Sequence, residues 1–201
     1  MTENEIKLVE TLKIMYAEPQ RHYHTFTHIE NLLSLFTQYQ EQLIDKTAIY
    51  WAIYLHDCIY NPRNKDNEEQ SAKFAEKALQ SIENINNNLI IKISNFILAT
   101  KTHQNNLQDA DLQWFLDFDL AVLGSSEEIY TNYAANVRKE YQHIPMWQYR
   151  IGRRKVLQHF LAKTPIFHHL PATYEIQAKI NLAKEYDALR LDKYLYKLLK
   201  I

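Results

Sequence analysis

Only two glycines, Gly124 and Gly152, occur in the 201 residues of this chain, alongside five prolines. Hairpin turns draw on residues with positive φ, so a chain this poor in glycine is ill suited to a sheet protein. The same scarcity removes the Walker loop, the dinucleotide fingerprint and the nucleophile elbow, each of which needs several glycines at fixed spacing. Most of the sequence instead repeats apolar residues at helical intervals. We expect an all-α fold.

Charge and cysteine content narrow the functional classes. Lysine and arginine total 23 against 24 acidic residues, and the pI is near 6.8. Such a balance sets up no global field for nucleic acid, so no nucleic-acid partner is expected. A lone cysteine, Cys58, excludes a disulfide framework or a thiolate zinc cluster within the chain. The longest apolar run, Ala48 to Leu55, falls far short of the ~20 residues that cross a bilayer. Met1 to Glu10 is acidic and mixed, unlike a secretory or transit peptide. A soluble cytoplasmic protein without a membrane partner is the expectation.

The periodicity predicts helices over Glu5–Tyr16 and Thr27–Tyr39. Asp45 caps the next, which is apolar nearly all round, runs through His56 and belongs at the centre of the core. Asn61-Pro62-Arg63-Asn64 breaks the pattern. Asp66 or Asn67 starts a helix to about Ile82, and the Asn84–Asn88 tract separates it from Leu89–Lys101. Asp109 or Asp111 opens a segment through Leu123, which Gly124 ends as a C′ residue. Ser126–Tyr141, Met146–Ala162 and Thr173–Leu199 complete the chain. With no repeat or flexible linker, residues 1–201 read as one helical domain.

Potential chemistry gathers in the first two thirds. His24 and His28 share a helix face by their spacing. His56-Asp57 lies at the end of the most apolar helix, and Asp117 and Asp119 flank Phe118. An imidazole and a carboxylate at a buried helix end must lose water, and the cost falls when both bind a cation.

Four motifs carry a resemblance: Arg21-x-Tyr23-His24-x-x-x-His28-Ile29, then Leu55-His56-Asp57, Asp66-Asn67-Glu68-x-x-Ser71-Ala72, and Phe115-Leu116-Asp117-x-Asp119-Leu120. Together they resemble the HD-domain superfamily, and within it the branch of metal-dependent phosphohydrolases. The resemblance implies a single HD-type helical bundle and places metal ligands on His28, His56, Asp57 and an Asp of the last pair. Asp119 is preferred to Asp117 because a leucine-rich turn follows it. Two imidazoles and two carboxylates suit Mn, Fe, Co, Ni or Zn in preference to Mg. One divalent ion is expected, because the superfamily's dinuclear members use extra histidines, and between Cys58 and Phe118 this chain has only His103.

The implied activity is hydrolysis of a phosphoester or phosphoanhydride in a small phosphorylated metabolite, a nucleotide among the candidates, by a metal-activated water. Glu68 is the implied acid/base residue, with Glu69 its neighbour, and His103 lines the pocket or meets the phosphate. Arg21 is the first choice for the phosphate's positive partner, ahead of Arg63, Lys65 and Lys101. Two alternatives accompany this: a di-iron oxygenase on the same scaffold, and a helical binding or regulatory module without catalysis.

Other features have plainer explanations. Cys58 reads as a small core residue, and His168-His169 as part of a loop. Arg150, Arg153, Arg154 and Lys155 fit the wet face of a helix whose other side carries Ile151, Val156, Leu157 and Phe160. Tyr23 and Tyr60 adjoin the motifs and offer faces for a base or sugar. The last helix carries an apolar stripe of Ile176, Ile180, Ala183, Leu195 and Leu198, suited to covering the core or to pairing in a homodimer.

Overall fold

The computed structural model describes residues 1–190. Among them all regular structure is helical and no strand is present: α1 Glu3–Tyr16, α2 Phe26–Tyr39, α3 Lys46–Leu55, α4 Asn67–Leu79, α5 Asn87–Ala99, α6 Ala110–Leu120, α7 Glu127–Glu140, α8 Met146–Ala162 and α9 Ala172–Ala188, with short 3-10 turns at Gln40–Gln42 and Ala121–Gly124. None of these helices is long and apolar enough to cross a membrane. The chain forms two compact units, Met1–Asp119 and the residues from Leu120 onward.

Local chemistry sets most helix starts. Thr2 and Glu5 form a capping box, so α1 begins two residues ahead of the expected Glu5. A reciprocal box satisfies two backbone donors that a bare helix end leaves open. Asp45 caps α3 by accepting from the Ala48 N–H at 3.0 Å. Asn86 does the same for α5 through the Leu89 N–H at 3.0 Å. Of the two candidates ahead of α6, Asp109 is the cap, accepting from the Asp111 and Leu112 N–H groups.

The first unit is built around α3. Ala48, Ile49 and the whole run Trp51–Leu55 are buried. Helices α1, α2, α4 and α5 all pack on α3, bringing Leu12 and Tyr16, Ile29 and Leu32, Ala75 and Leu79, and Ile93, Phe96 and Ile97 into the interior. Each such large side chain contributes roughly 1.5–3 kcal/mol by leaving water. Helix α6 adds Leu112, Phe115 and Phe118, and the Phe115 ring stacks on Phe96. The Asp111 carboxylate is spent across the unit, accepting from the N–H groups of Ile44 and Asp45 at 2.8 Å each. Lys92 of α5 lies beside it, at 3.4 Å from Asp45 and Asp109 and 3.6 Å from Asp111. The N-terminus of α3 is thereby fixed to α5 and α6.

In the second unit, Gly124 and Arg153 depart from expectation, and of the two uses expected for the α9 stripe, covering the core is not what Ile176 and Ile180 do. Gly124 does not adopt the left-handed C′ conformation, since no glycine has positive φ. Its requirement is steric: a Cβ there would lie 2.6 Å from the carbonyl oxygen of Tyr174. Arg153 is not on a wet face. It is buried, with Nε and Nη2 donating to both oxygens of Glu185 at 2.8 and 2.9 Å, while Tyr130 Oη donates to the same carboxylate. A fixed two-pronged ion pair of this kind removes the cost of an isolated buried charge, and Val156, expected inside, is exposed in its place. On α9, Ile176 and Ile180 are 61% and 43% exposed, and the inward face carries Ala178, Asn181 and Leu182 instead. The α9 helix ends at Ala188, with Leu189 as its C-cap; residues 191–199 of the expected Thr173–Leu199 segment, with Leu195 and Leu198, lie outside the described residues.

The two glycines make opposite predictions. Gly124→Ala should destabilise the protein by about 1–3 kcal/mol, because the backbone of Tyr174 must move. Gly152→Ala meets nothing within 4 Å and should stabilise α8 by roughly 0.5–1 kcal/mol. Denaturant unfolding of both variants checks the pair.

Candidate metal centre

Three separate chain segments of the first unit converge on one point. His28 comes from the first turn of α2, His56 from the C-cap of α3 with Asp57 directly after it, and Asp119 from the last turn of α6. His28 Nε2 is 3.2 Å from His56 Nε2 and 3.2 Å from Asp119 Oδ1. His56 Nε2 is 3.2 Å from Asp57 Oδ2 and 3.5 Å from Asp119 Oδ1. His28, His56 and Asp57 each offer a ligand atom within 4.8 Å of the others. Both imidazoles are buried, and the two carboxylates keep a small exposed edge.

The orientation of His56 follows from its other nitrogen. Nδ1 lies 2.9 Å from the Ile53 carbonyl, which can only accept, so Nδ1 carries the hydrogen. In the neutral ring Nε2 then presents a lone pair to two carboxylate oxygens and a second imidazole. His28 Nδ1 sits 3.2 Å from Tyr23 Oη, a partner that likewise leaves Nε2 facing the cluster. Such support of a ligand histidine by its second nitrogen is the common arrangement in metal sites.

The electrostatics reflect the crowding. Burial lowers the pKa of His28. Burial opposes charge on His56 as well, but Asp57 and Asp119 outweigh it and raise that pKa well above the ordinary imidazole value. Burial would raise Asp57, yet the adjoining His56, then His24, hold its carboxyl below the usual range. Asp119 is similarly depressed against the effect of burial by hydrogen bonds from His103, His28 and His56. These groups together favour positive charge among them. Two imidazole nitrogens and two carboxylate oxygens, with no soft donor, form a set that fits a first-row divalent ion.

The chain leaves α3 at the doublet, and side chains satisfy the carbonyls that helical bonding no longer reaches. Arg21 Nη1 donates to Asp57 O at 2.8 Å and to His24 O at 3.1 Å, and Nη2 donates to Cys58 O at 2.9 Å. Ser71 Oγ donates to Ile59 O at 3.2 Å and accepts from Ile59 N at 3.1 Å. Gln20 donates to Tyr60 O at 3.2 Å. Asn67 closes the series, donating to Asn61 O and accepting from Asn61 N, each at 3.0 Å. Five consecutive carbonyls, from Asp57 to Asn61, are thus held by side chains.

The expected site residues now have definite places. His28, His56, Asp57 and Asp119 are brought together. Asp117 is not with them; it is buried and accepts from Gln113 at 3.0 Å. His103 joins the cluster through Asp119, with Nε2 2.9 Å from Oδ2. Its backbone is left-handed, φ 50°, a conformation that costs a non-glycine residue roughly 1–2 kcal/mol. His24 Nε2 stands 3.9 Å from Asp57 Oδ2, and its ring stacks on Tyr60 at 4.3 Å. Glu68 is half-buried in the first turn of α4, while Glu69 is ion-paired to Lys101. Arg21, expected at the phosphate, has a side chain with 0% exposure. Its donors serve backbone carbonyls and Glu18, so it does not face solvent as a phosphate contact would. Tyr60 is buried and occupied by His24 and Arg21, not open to a base or sugar.

Comparison with protein-family models, with curated proteins and with solved structures found no match to this chain.

Cys58, next to the doublet, is buried, with its thiol pushed up to about 12 by loss of water. A thiol reacts as its thiolate, so at pH 8 Cys58 should resist a disulfide exchange reagent in the folded protein and react promptly in denaturant. Thiol titration under the two conditions measures this.

Proposed function

We propose that this protein is a metal-dependent phosphohydrolase that cleaves a phosphoester or phosphoanhydride in a small phosphorylated metabolite, with nucleotides among the candidate substrates. The observation that carries the proposal is the convergence of three separate segments on His56, whose Nε2 lies 3.2–3.5 Å from His28 Nε2, Asp57 Oδ2 and Asp119 Oδ1, with Asp119 Oδ1 also 3.2 Å from His28 Nε2. The ordered motifs that resemble HD-type phosphohydrolases point to the same four residues.

His28, His56, Asp57 and Asp119 would hold the divalent ion, which would supply an activated water and polarisation of a phosphoryl oxygen. The protein's own part is positional. The Ile53 carbonyl and Tyr23 hydroxyl orient the two imidazoles. His103, held on Asp119, keeps that carboxylate turned towards His28 and His56. Glu68 is assigned the proton transfer to or from the reacting oxygens, since Lys101 engages its neighbour Glu69 and Asn67 and Ser71 fix this end of α4 to the chain beyond the doublet. Positive charge for the phosphate falls to Arg63, which is exposed on the loop before α4, because Arg21 is committed inside.

Elemental analysis of the purified protein should find about one equivalent of a transition metal, with His56→Ala and Asp57→Ala losing it. Full metal content in both variants would contradict the assignment. Against a panel of phosphorylated metabolites, Glu68→Gln should retain the metal and lose about 10²- to 10⁴-fold in hydrolysis, the usual weight of a general acid or base. His103→Ala should also lower hydrolysis with metal intact; loss of half the metal would instead indicate two ions.

A further inference from the structure

We infer that Arg21 is the positioning residue of this centre: one buried guanidinium sets the spacing between the segment leading to His28 and the His56-Asp57 doublet. The inference rests on the metal proposal above and adds a role for a residue that touches neither substrate nor ligand atoms.

The geometry is specific. Arg21 lies in the loop ahead of α2, and Nη1 alone spans the two segments, donating to His24 O at 3.1 Å and Asp57 O at 2.8 Å. Nη2 adds Cys58 O at 2.9 Å, and Nε is bound by Glu18 at 3.1 Å. The guanidinium carbon lies 4.9 Å from the Tyr16 ring centroid and 5.5 Å from that of Tyr60. With its side chain wholly enclosed, this is a rigid planar fork whose directions are matched to three carbonyls. An ammonium offers a compact point charge and a different donor geometry, so lysine is no substitute at such a place.

The energetic reason is the exit of the chain from α3. The carbonyls of Asp57 and Cys58 lie past Leu55, the last residue of α3, and have no helical partner, and a buried carbonyl left without any partner is destabilising. Arg21 satisfies the carbonyls of Asp57 and of Cys58, the residue after the doublet, and also that of His24, four residues before His28. Because the same nitrogen bonds both segments, displacing one displaces the other. Ligand atoms must hold position to about 0.5 Å for a site to keep its geometry, and Arg21 supplies that constraint for two of the three converging segments.

The test is cobalt(II) titration of wild type, Arg21→Lys and Arg21→Ala, followed by ligand-field absorption and affinity. In folded Arg21→Lys the affinity should fall about 10- to 100-fold, as for other residues that orient metal ligands, and the absorption bands should shift. Millimolar guanidinium, but not urea, should restore the wild-type spectrum of Arg21→Ala by filling the vacated space. A residue that only adds stability would lower the melting temperature and leave affinity and spectrum of the folded protein unchanged, which would overturn the inference. No cobalt uptake by wild type would remove the metal proposal and this one together, whereas uptake with a normal Arg21→Lys removes this one alone. Should neither variant fold, NMR of the wild type decides: cobalt-free and zinc-loaded protein should differ about tenfold or more in hydrogen exchange at Arg21 Nε, by the reciprocity of linked sites. Equal exchange would overturn the inference.

Discussion

Two imidazole nitrogens and two carboxylate oxygens, 3.2–3.5 Å from their neighbours in the interior of a helical unit, repel one another unless positive charge sits among them. The Ile53 carbonyl fixes the hydrogen of His56 on the far side of its ring, so the ring cannot relieve the crowding by exchanging tautomers. Only a proton or a metal ion can do so. The proposed function takes the second solution, and the donor set is one that first-row divalent ions accept.

Holding such a cluster requires a frame stiffer than the cluster's own repulsion. Helix α3 supplies it, being buried from Trp51 to Leu55 and at Ala48 and Ile49, and tied at both ends by polar side chains from other segments. At its start, Asp111 accepts from the Ile44 and Asp45 N–H groups. Beyond its end, Arg21, Ser71, Gln20 and Asn67 take up the carbonyls of residues 57–61. Side chains here do what helix hydrogen bonds would have done, and the chain can turn away sharply while the doublet stays fixed. The motif residues Arg21, Asn67 and Ser71 acquire a common physical explanation in this way.

Much of this was legible in the sequence wherever the cause is local. Apolar spacing indicates the helices, Asp45 caps within three residues of itself, and the buried character of α3 shows in its composition. The four converging residues were legible as ordered motifs. What escaped depends on partners remote along the chain. The role of Asp111 is set by groups 66 and 67 residues away, and that of Gly124 by Tyr174. Arg153 looks like a surface residue until Glu185 is placed beside it. Arg21 is a similar case: a cation in its motif suggests a phosphate contact, and only the fold shows its side chain enclosed and its donors engaged by Glu18 and backbone carbonyls. The choice between Asp117 and Asp119, open by sequence apart from the leucine-rich turn, depends on which side of α6 meets His28 and His56; Asp119 does.

The most direct measurement is a crystal structure with anomalous scattering at the edge of manganese, cobalt or zinc supplied during growth. One anomalous peak bonded to His28 Nε2, His56 Nε2, Asp57 and Asp119, at roughly 2.0–2.2 Å for zinc, is the expected result. A map without a peak at that point, under saturating metal and with the four side chains joined only through shared protons, would contradict it.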